Sequence, residues 1–497
     1  MQKNANDKDA YKELISLFLK PNKHYVAIKD YSKTVFYFEL QSLIEKYTRL
    51  LKKHDNLLAA VFRFKRSADT IAFILAALFL RIPFVPCNIN TKYDKIKRIC
   101  NDLFVTGFFS LEKDSVVFVN IYDKAIVPSK IKTPIIRQEN DIAYIIFTSG
   151  STGVPKGVKI SYRALLSFIK NIRSEFDFSV FERFLWVSSI NFDISLLEIL
   201  IPIINNKTII VAEDIDLQIP TRLINIINRE KIDFLQITPS QYELLRMYGF
   251  EEKINESLKT VFFGGEHIRK KHIIGLLKKN IQIYNMYGPT ETTIWCSFKH
   301  IKETNDLSIG FGLGESQLAI MRNGVILSPY DQSKGELIVY SNQLFSGYTN
   351  SSTEDSELYF YENEKKYYKT GDIAKYNKDK QIIILGRIDN QVKINGIRIE
   401  LEDIENIIEI KLGIKTIAFK PQQLTGLIVI CQANDYKENL FSQLNNILYE
   451  YYPNGVFIEQ IKAIKSFPLN ENLKIDRNEV VRWFKKEIKH MKTAEKE

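Results

Sequence analysis

Residues 144–160, YIIFTSGSTGVPKGVKI, concentrate the most chemistry in this 497-residue sequence. An apolar, β-rich run, Tyr144-Ile145-Ile146-Phe147, reads as a buried strand. It opens into alternating hydroxyls and glycines, Thr148, Ser149, Gly150, Ser151, Thr152 and Gly153, and closes on Pro155, Lys156 and Gly157. Such a loop offers backbone N–H groups, hydroxyls and one ammonium to an anion, and its glycines let the backbone come close. A polyphosphate suits it, and a solvated Gly/Ser turn is the plain alternative. The Walker spacing would put glycine where Pro155 stands, so this loop is of another kind.

A second stretch, IYNMYGPTETTIWC at 283–296, carries complementary groups. Tyr287 has a flat face for adenine and Asn285 an amide for its base edge. Thr290 has a hydroxyl for a phosphate, and Glu291 has oxygens for Mg²⁺. The same string also reads as a Gly-Pro turn with a capping threonine. Asp193, within NFDISLLEI at 191–199, stands at the entrance to an apolar helix. It suits a helix cap, or, semi-buried, a partner that selects a fixed cation by a charge-assisted hydrogen bond. Asp372 after Thr370-Gly371 reads by itself as a turn aspartate. Lys474, in FPLNENLKIDRN at 467–478, reads by itself as a solvated charge.

These groups need elements to hold them. Apolar residues at helical spacing, Leu40, Leu43, Ile44, Tyr47 and Leu51, predict a helix over 35–53. Residues 59–65 read as a strand, 68–80 as a helix, and Arg81-Ile-Pro-Phe-Val-Pro as turn and strand. After the loop come a helix from 162 to about 172, a strand from Phe184, and strands at 233–238 and 260–266 that each run into a turn. This βαβ rhythm predicts parallel, layered sheets, with ligands at the carboxyl edge of the strands. Past 388, VKINGIRIE alternates around Gly396 and a helix begins near Glu400, which suits a small α+β domain.

Composition narrows the partners. Hydrophobic residues make up 45%, enough for a large core and a second domain. Lys+Arg 69 against Asp+Glu 59 gives a formal charge of +10, which favours anionic partners. The basic residues are scattered, with no stripe and no nucleic-acid module spacing, so nucleic acid is not the expected partner. Cys87, Cys100, Cys296 and Cys431 show no C-x-x-C pairing and suit a reducing, cytoplasmic setting. The N-terminus lacks the apolar core of a signal peptide. The most apolar run, Ile71 to Cys87, is broken at Arg81 and by two prolines, so a buried helix is expected and not a membrane span, which needs ~20 apolar residues.

The 144–160 loop resembles the phosphate loop of the adenylate-forming enzymes: acyl-CoA synthetases, luciferases and the adenylation domains of nonribosomal peptide synthetases. Tyr287-Gly-Pro-Thr-Glu291, Thr370-Gly-Asp372, Gly386-Arg-Ile-Asp389 and the Lys474-Ile-Asp-Arg477 loop resemble further motifs of the family, in the family's order. The resemblance implies an α/β fold, with a large N-terminal multi-subdomain α/β domain of layered sheets over 1–386 and a small mobile α+β C-terminal domain over 387–497. It implies ATP and Mg²⁺ as cofactors. It carries Asn285 and Tyr287 over to adenine, Thr290 and the 148–156 loop to phosphate, Glu291 to the metal, Asp372 to both ribose hydroxyls and Arg387 to the nucleotide. Asp389 becomes the hinge about which the small domain swings between two half-reactions, and Lys474 the catalytic lysine. Leu473 stands where the family has glycine.

Phe-Asp-x-Ser around Asp193 resembles the amino-acid-adenylating branch, in which this carboxylate holds the substrate's α-ammonium. Alignment to that branch lines the side-chain pocket with Ile194, Leu197, Gln236, Phe262, Gly264, Met286, Ile294 and Trp295. Only Gly264 is small and Gln236 is the sole polar group. The set resembles the glycine-activating pattern, with alanine, serine and cysteine next. The expected activity is ATP-dependent formation of an aminoacyl-adenylate with release of pyrophosphate. Transfer to the phosphopantetheine thiol of a carrier protein follows. No carrier domain is legible beyond Lys474, so a stand-alone enzyme working with a separate carrier is expected. The alternatives are a carboxylate–CoA ligase of the same fold and, in another class, a non-catalytic nucleotide-binding regulator.

Overall fold

The computed structural model describes residues 3–18, 24–54, 57–112, 115–121, 142–148, 156–349, 355–388, 391–395, 397–421, 424–433, 439–452, 455–468, 475–477 and 479–484. They fall into two compact units, one of the described residues up to Ile388 and one of those beyond it. The fold is α/β, as the βαβ rhythm implies.

The larger unit is built on three sheets. One has nine strands. Six of them are parallel neighbours: Val26–Lys29, Thr208–Val211, Arg183–Trp186, Phe234–Ile237, Thr260–Phe263 and Gln282–Tyr287. Antiparallel strands close both edges, Thr34–Phe36 on one side and Ser297–Ile301 with Phe311–Gly312 on the other. A second sheet has six strands and ends in the hairpin Ile142–Thr148 and Lys156–Ser161. The third is antiparallel and contains Lys365–Tyr376 and Ile382–Arg387.

Local chemistry accounts for the helices between them. Ser67 caps Ala68–Phe79 by accepting the Thr70 N–H, and Ser161 caps Tyr162–Glu175 through the Ala164 N–H. Thr238 caps Pro239–Met247, with proline in the first turn, where its missing N–H costs nothing. Ala68–Phe79 is buried from Thr70 through Leu78, which explains why the run Ile71–Phe79 is apolar all round. Among the described residues no helix is long and apolar enough to cross a membrane.

Alternation along the parallel strands sorts the site residues. Phe234, Phe262 and Met286 belong to the core on one face of the nine-stranded sheet. Leu235, Val261 and Ile283 belong to the core on the other. The strand Gln282–Tyr287 therefore sends Met286 to one face and Asn285 and Tyr287 to the other, at the carboxyl edge where ligands of parallel sheets bind.

The smaller unit has its own core, with Ile394, Ile404, Leu427, Val429 and Leu444 buried. It contains a hairpin, Gln391–Ile394 with Ile397–Glu400, and a three-stranded sheet of Thr416–Phe419, Leu427–Gln432 and Ile458–Ile464. Helices Leu401–Leu412 and Leu440–Tyr451 complete it. Arg477 forms two 2.6 Å bonds to the Glu405 carboxylate, and the Asp476 N–H donates to Pro468 O at 2.8 Å. These bonds pin both described ends of the 468–475 segment.

Candidate active site

Two of the expected nucleotide residues converge on the carboxylate of a third, Asp372. Tyr287 donates its phenol to Asp372 Oδ2. Arg387 Nη1 donates to Asp372 Oδ1 at 3.0 Å and to Thr370 O at 3.1 Å. Asp372 and Arg387 are register partners on adjacent antiparallel strands, while Tyr287 comes from a different sheet. Burial pushes the Tyr287 phenol well up, and the Asp372 charge beside it adds to the shift. Tyr287 is thus a hydrogen-bond donor as well as a flat face. Asn285 is buried, and its amide nitrogen donates to Ser308 O at 2.8 Å. In this state that nitrogen braces the 307–308 backbone.

Thr148 and Lys156 face each other across the hairpin, the Thr148 hydroxyl donating to Lys156 O at 3.4 Å. Ser149, Gly150, Ser151, Thr152 and Gly153 lie outside the described residues, as do Asp389, Leu473 and Lys474. The next residue, Gly157, has no room for a side chain: a Cβ there would sit 2.6 Å from Thr349 Cγ2. That close approach seats the 346–349 backbone beside the Lys156–Ser161 strand, with Thr349 N–H donating to Gly157 O at 2.8 Å. It places Tyr348 between two expected residues. Its hydroxyl donates to Glu291 Oε1 at 2.9 Å, and Lys156 Nζ lies 5.6 Å from its ring centroid. Nothing in the local sequence singled out Tyr348.

Glu291 is 1% exposed and sits in the middle of a short 3-10 turn, Thr290–Thr292, which half-buried Thr290 opens. Among the described residues no group of three or more His, Cys, Asp or Glu side chains forms a metal cage. A carboxylate linked through Tyr348 to Lys156 still fits Mg²⁺, which is commonly held by one or two carboxylates together with substrate phosphates. The donor set does not suit a thiolate- or imidazole-bound metal.

On the opposite face lies the expected substrate pocket. Asp193 precedes the helix Ile194–Ile204 but makes no side-chain cap bond. Its Oδ2 accepts the Ile294 N–H at 3.3 Å, and the residue is buried. That N–H is aimed at it by consecutive left-handed residues, Thr293 at φ 58 and Ile294 at φ 68. Gln343, fully buried, holds this turn by donating its amide to Thr292 O and Trp295 O at 3.1 and 2.9 Å. Close by, within electrostatic reach of Asp193, the buried Tyr144 hydroxyl has no hydrogen-bond partner among the described residues.

Trp295 is 1% exposed and stands over Gly264, where an added Cβ would come within 2.2 Å of its ring. Its indole N–H donates to Gln236 Oε1 at 2.9 Å. The Gln236 amide nitrogen donates to Ile194 O at 2.9 Å and to Glu198 Oε1 at 2.8 Å. Gln236 therefore spends its carbonyl on Trp295 and both amide hydrogens on acceptors in the Ile194–Ile204 segment. Leu197, Phe262, Met286 and Ile294 pack in the same core, and Ile194 is half-buried against it. Glu198 also accepts from Val187 N, Ser188 N and Ser188 Oγ at 2.9, 3.0 and 2.6 Å. Burial lifts its carboxyl to about 7, against the pull of those donors toward the charged form. The residue-type reading passed over Glu198. Its signal is that it is the one charged residue in the apolar helix ISLLEILIPII.

Comparison with known proteins shows the family. The family described as AMP-binding enzyme matches residues 19–349. The chain is 30% identical over 359 residues to the D-alanine–D-alanyl carrier protein ligase of Bacillus cereus, covering 68% of this chain and 70% of that protein. It is 28% identical over 466 residues to Bacitracin synthase 1 of Bacillus licheniformis, covering 89% of this chain and 9% of that protein. It thus spans about a tenth of the length of such synthetases. In fold it resembles the Vibrio cholerae adenylation domain AlmE, solved with glycyl-adenosine-5'-phosphate. That likeness has a TM-score of 0.76 at 19% identity and covers 97% of this chain and 98% of that one. The chain belongs to the AMP-binding enzyme family. Its relatives include nonribosomal peptide synthetases with adenylation domains and a carrier-protein ligase, which makes it a ligase of the adenylate-forming class.

Proposed function

We propose that this chain activates glycine with ATP as glycyl-adenylate and passes the glycyl group to the phosphopantetheine thiol of a separate carrier protein. One observation carries the choice of substrate. The indole of Trp295 occupies the space over Gly264, held by Gln236, while the buried Asp193 carboxylate is not engaged as a helix cap. An anchor for an ammonium is kept and the room for a side chain is filled. Filling is an efficient filter for glycine, because no smaller amino acid exists to slip through. A cavity that must reject a smaller analogue gains only ~1–3 kcal/mol per methylene. Gln236, the one polar group of the pocket, has both amide hydrogens committed and its carbonyl already accepting the Trp295 N–H, which weighs against serine.

In the first half-reaction a carboxylate oxygen of the amino acid attacks the α-phosphorus of ATP. The Pα–O bond to the β-phosphate breaks and pyrophosphate leaves with that electron pair. Asp372, tied to Tyr287 and Arg387, would orient the ribose, and Asp193 would orient the amine. Glu291 would hold Mg²⁺, whose positive charge offsets charge on the phosphate oxygens. Lys156, Thr290 and Lys474 are the expected donors to those oxygens. No protein nucleophile is required, since positioning and electrostatics suffice. In the second half-reaction the thiol attacks the mixed anhydride and AMP leaves.

Amino-acid-dependent pyrophosphate–ATP exchange across all twenty amino acids, with acetate and a fatty acid alongside, tests the reading. Glycine should rank first. Trp295→Ala should raise exchange with alanine relative to glycine by ~10-fold or more, within the range one methylene commands in a filled pocket. A wild-type preference for leucine or phenylalanine would refute the pocket. Exchange driven by acetate or a fatty acid alone would point to a carboxylate–CoA ligase.

The carrier step has its own test, suggested by the carrier-protein ligase among the relatives. Labelled glycine and ATP should label a separate phosphopantetheinylated protein. Stable covalent label on this chain instead would count against transfer in trans.

A further inference from the structure

We propose that Glu198, which touches no substrate, is the positioning residue that sets the selectivity of this pocket: its carboxylate fixes the orientation of the Gln236 amide and, through it, the placement of the Trp295 indole. The inference rests on the glycine reading above and names a control that reading lacks.

The argument is one of donors and acceptors. A glutamine amide can turn over, exchanging its carbonyl for its NH₂, and only its partners decide between the two orientations. Here two acceptors, Glu198 Oε1 and Ile194 O, face the nitrogen end at 2.8 and 2.9 Å. Turned over, the amide would set its oxygen against both of them and its NH₂ against the indole N–H, which is donor only. The orientation observed is the one that gives Trp295 an acceptor, at 2.9 Å. All three side chains are 1% exposed, so no water shell substitutes for a lost partner. The indole in turn fills the space over Gly264, which the glycine reading takes as the room a larger substrate's side chain would need.

Glu198 is itself held from the other side. Its Oε2 accepts two backbone N–H groups, Val187 and Ser188, which are donors only. Its Oε1 accepts Ser188 Oγ and Gln236 Nε2. Glu198→Gln is nearly isosteric and changes one feature, because one carboxylate oxygen becomes an NH₂ donor. Two backbone donors keep the remaining oxygen at the Oε2 position, so the new NH₂ faces Gln236. Two NH₂ groups then oppose each other. Gln236 must turn over or swing away, and either movement leaves the indole N–H without a fixed acceptor. Gln236→Met removes the same acceptor without touching Glu198.

Two readouts decide the matter. The first is the kcat/KM ratio for glycine against alanine in pyrophosphate exchange. Glu198→Gln should shift it toward alanine by ~10-fold, mainly through a lower KM for alanine. The second needs no substrate: the ¹H–¹⁵N resonance of the Trp295 indole. It is one of three tryptophan indoles in the chain and is assigned by its loss in Trp295→Phe. In the full-length protein it should move and exchange with solvent faster in Glu198→Gln. Gln236→Met should reproduce both effects, and it alone decides if Glu198→Gln does not fold. In a Trp295→Phe background Glu198→Gln should no longer alter the ratio. Either readout unchanged, or a ratio that still shifts without the indole, overturns the inference. The wild-type ranking of amino acids, measured first, judges the glycine reading separately.

Discussion

Asp193→Asn should lower glycine-dependent exchange by between about 30-fold and about 3,000-fold, with the loss appearing mainly as a raised KM for glycine and the KM for ATP nearly unchanged. Truncating one member of a buried, hydrogen-bonded charge pair costs ~2–5 kcal/mol, and each ~1.4 kcal/mol is tenfold. Asp193 is buried, and its carboxylate is turned toward the Ile294 N–H and not onto the helix that follows it. Asparagine keeps the shape and an acceptor for that N–H but loses the charge, so the thermal midpoint should move little while recognition of the ammonium fails. Titrating exchange rate against glycine and ATP in turn separates the two KM values. A variant that binds glycine as the wild type does would show that this carboxylate is not the ammonium's partner. The pocket would then need another anchor.

Lys474→Ala should slow adenylate formation by ~100-fold or more, the effect of removing a preorganised donor to developing charge. It should leave thioester formation from preformed glycyl-adenylate close to wild type. The expectation comes from the Lys474-Ile-Asp-Arg477 string. Single-turnover assays of the two half-reactions, one started with glycine and ATP and the other with synthetic adenylate and loaded carrier, separate the roles. Equal loss in both would remove Lys474 from the chemistry and leave it a structural residue. Leu473 in the family's glycine position makes the size of the first effect informative in itself.

Contiguous strings determined much of this protein before any tertiary contact was known. The Ile142–Thr148 strand and the Tyr287-Gly-Pro-Thr-Glu291 turn were legible because strand alternation and glycine-bearing turns are properties of a few adjacent residues. Asp372, by itself a turn aspartate, lies instead inside the strand Lys365–Tyr376, because pairing with Ile382–Arg387 sets its backbone. The α/β class followed from the same local periodicities, and even the helix Ala68–Phe79 lay within a residue of its expected bounds. What only the fold decided are relations across distance. Asp193 is set apart from a helix cap because residues 101 positions away supply the Ile294 N–H. Tyr287 turns from a flat face into a donor because Asp372, 85 residues on, arrives from another sheet. Tyr348, Gln343 and Glu198 carry no motif of their own. Their importance lies in partners 57, 48 and 38 residues away, reached when separate sheets and helices close over one carboxyl edge. Gln236 shows the difference most plainly. As a residue type it is a free polar group that invites serine into the pocket, and only burial between Glu198, Ile194 and Trp295 consumes its hydrogen bonds and makes it a support for the wall. A sequence specifies which donors and acceptors exist, but their satisfaction depends on what the folded chain packs against them.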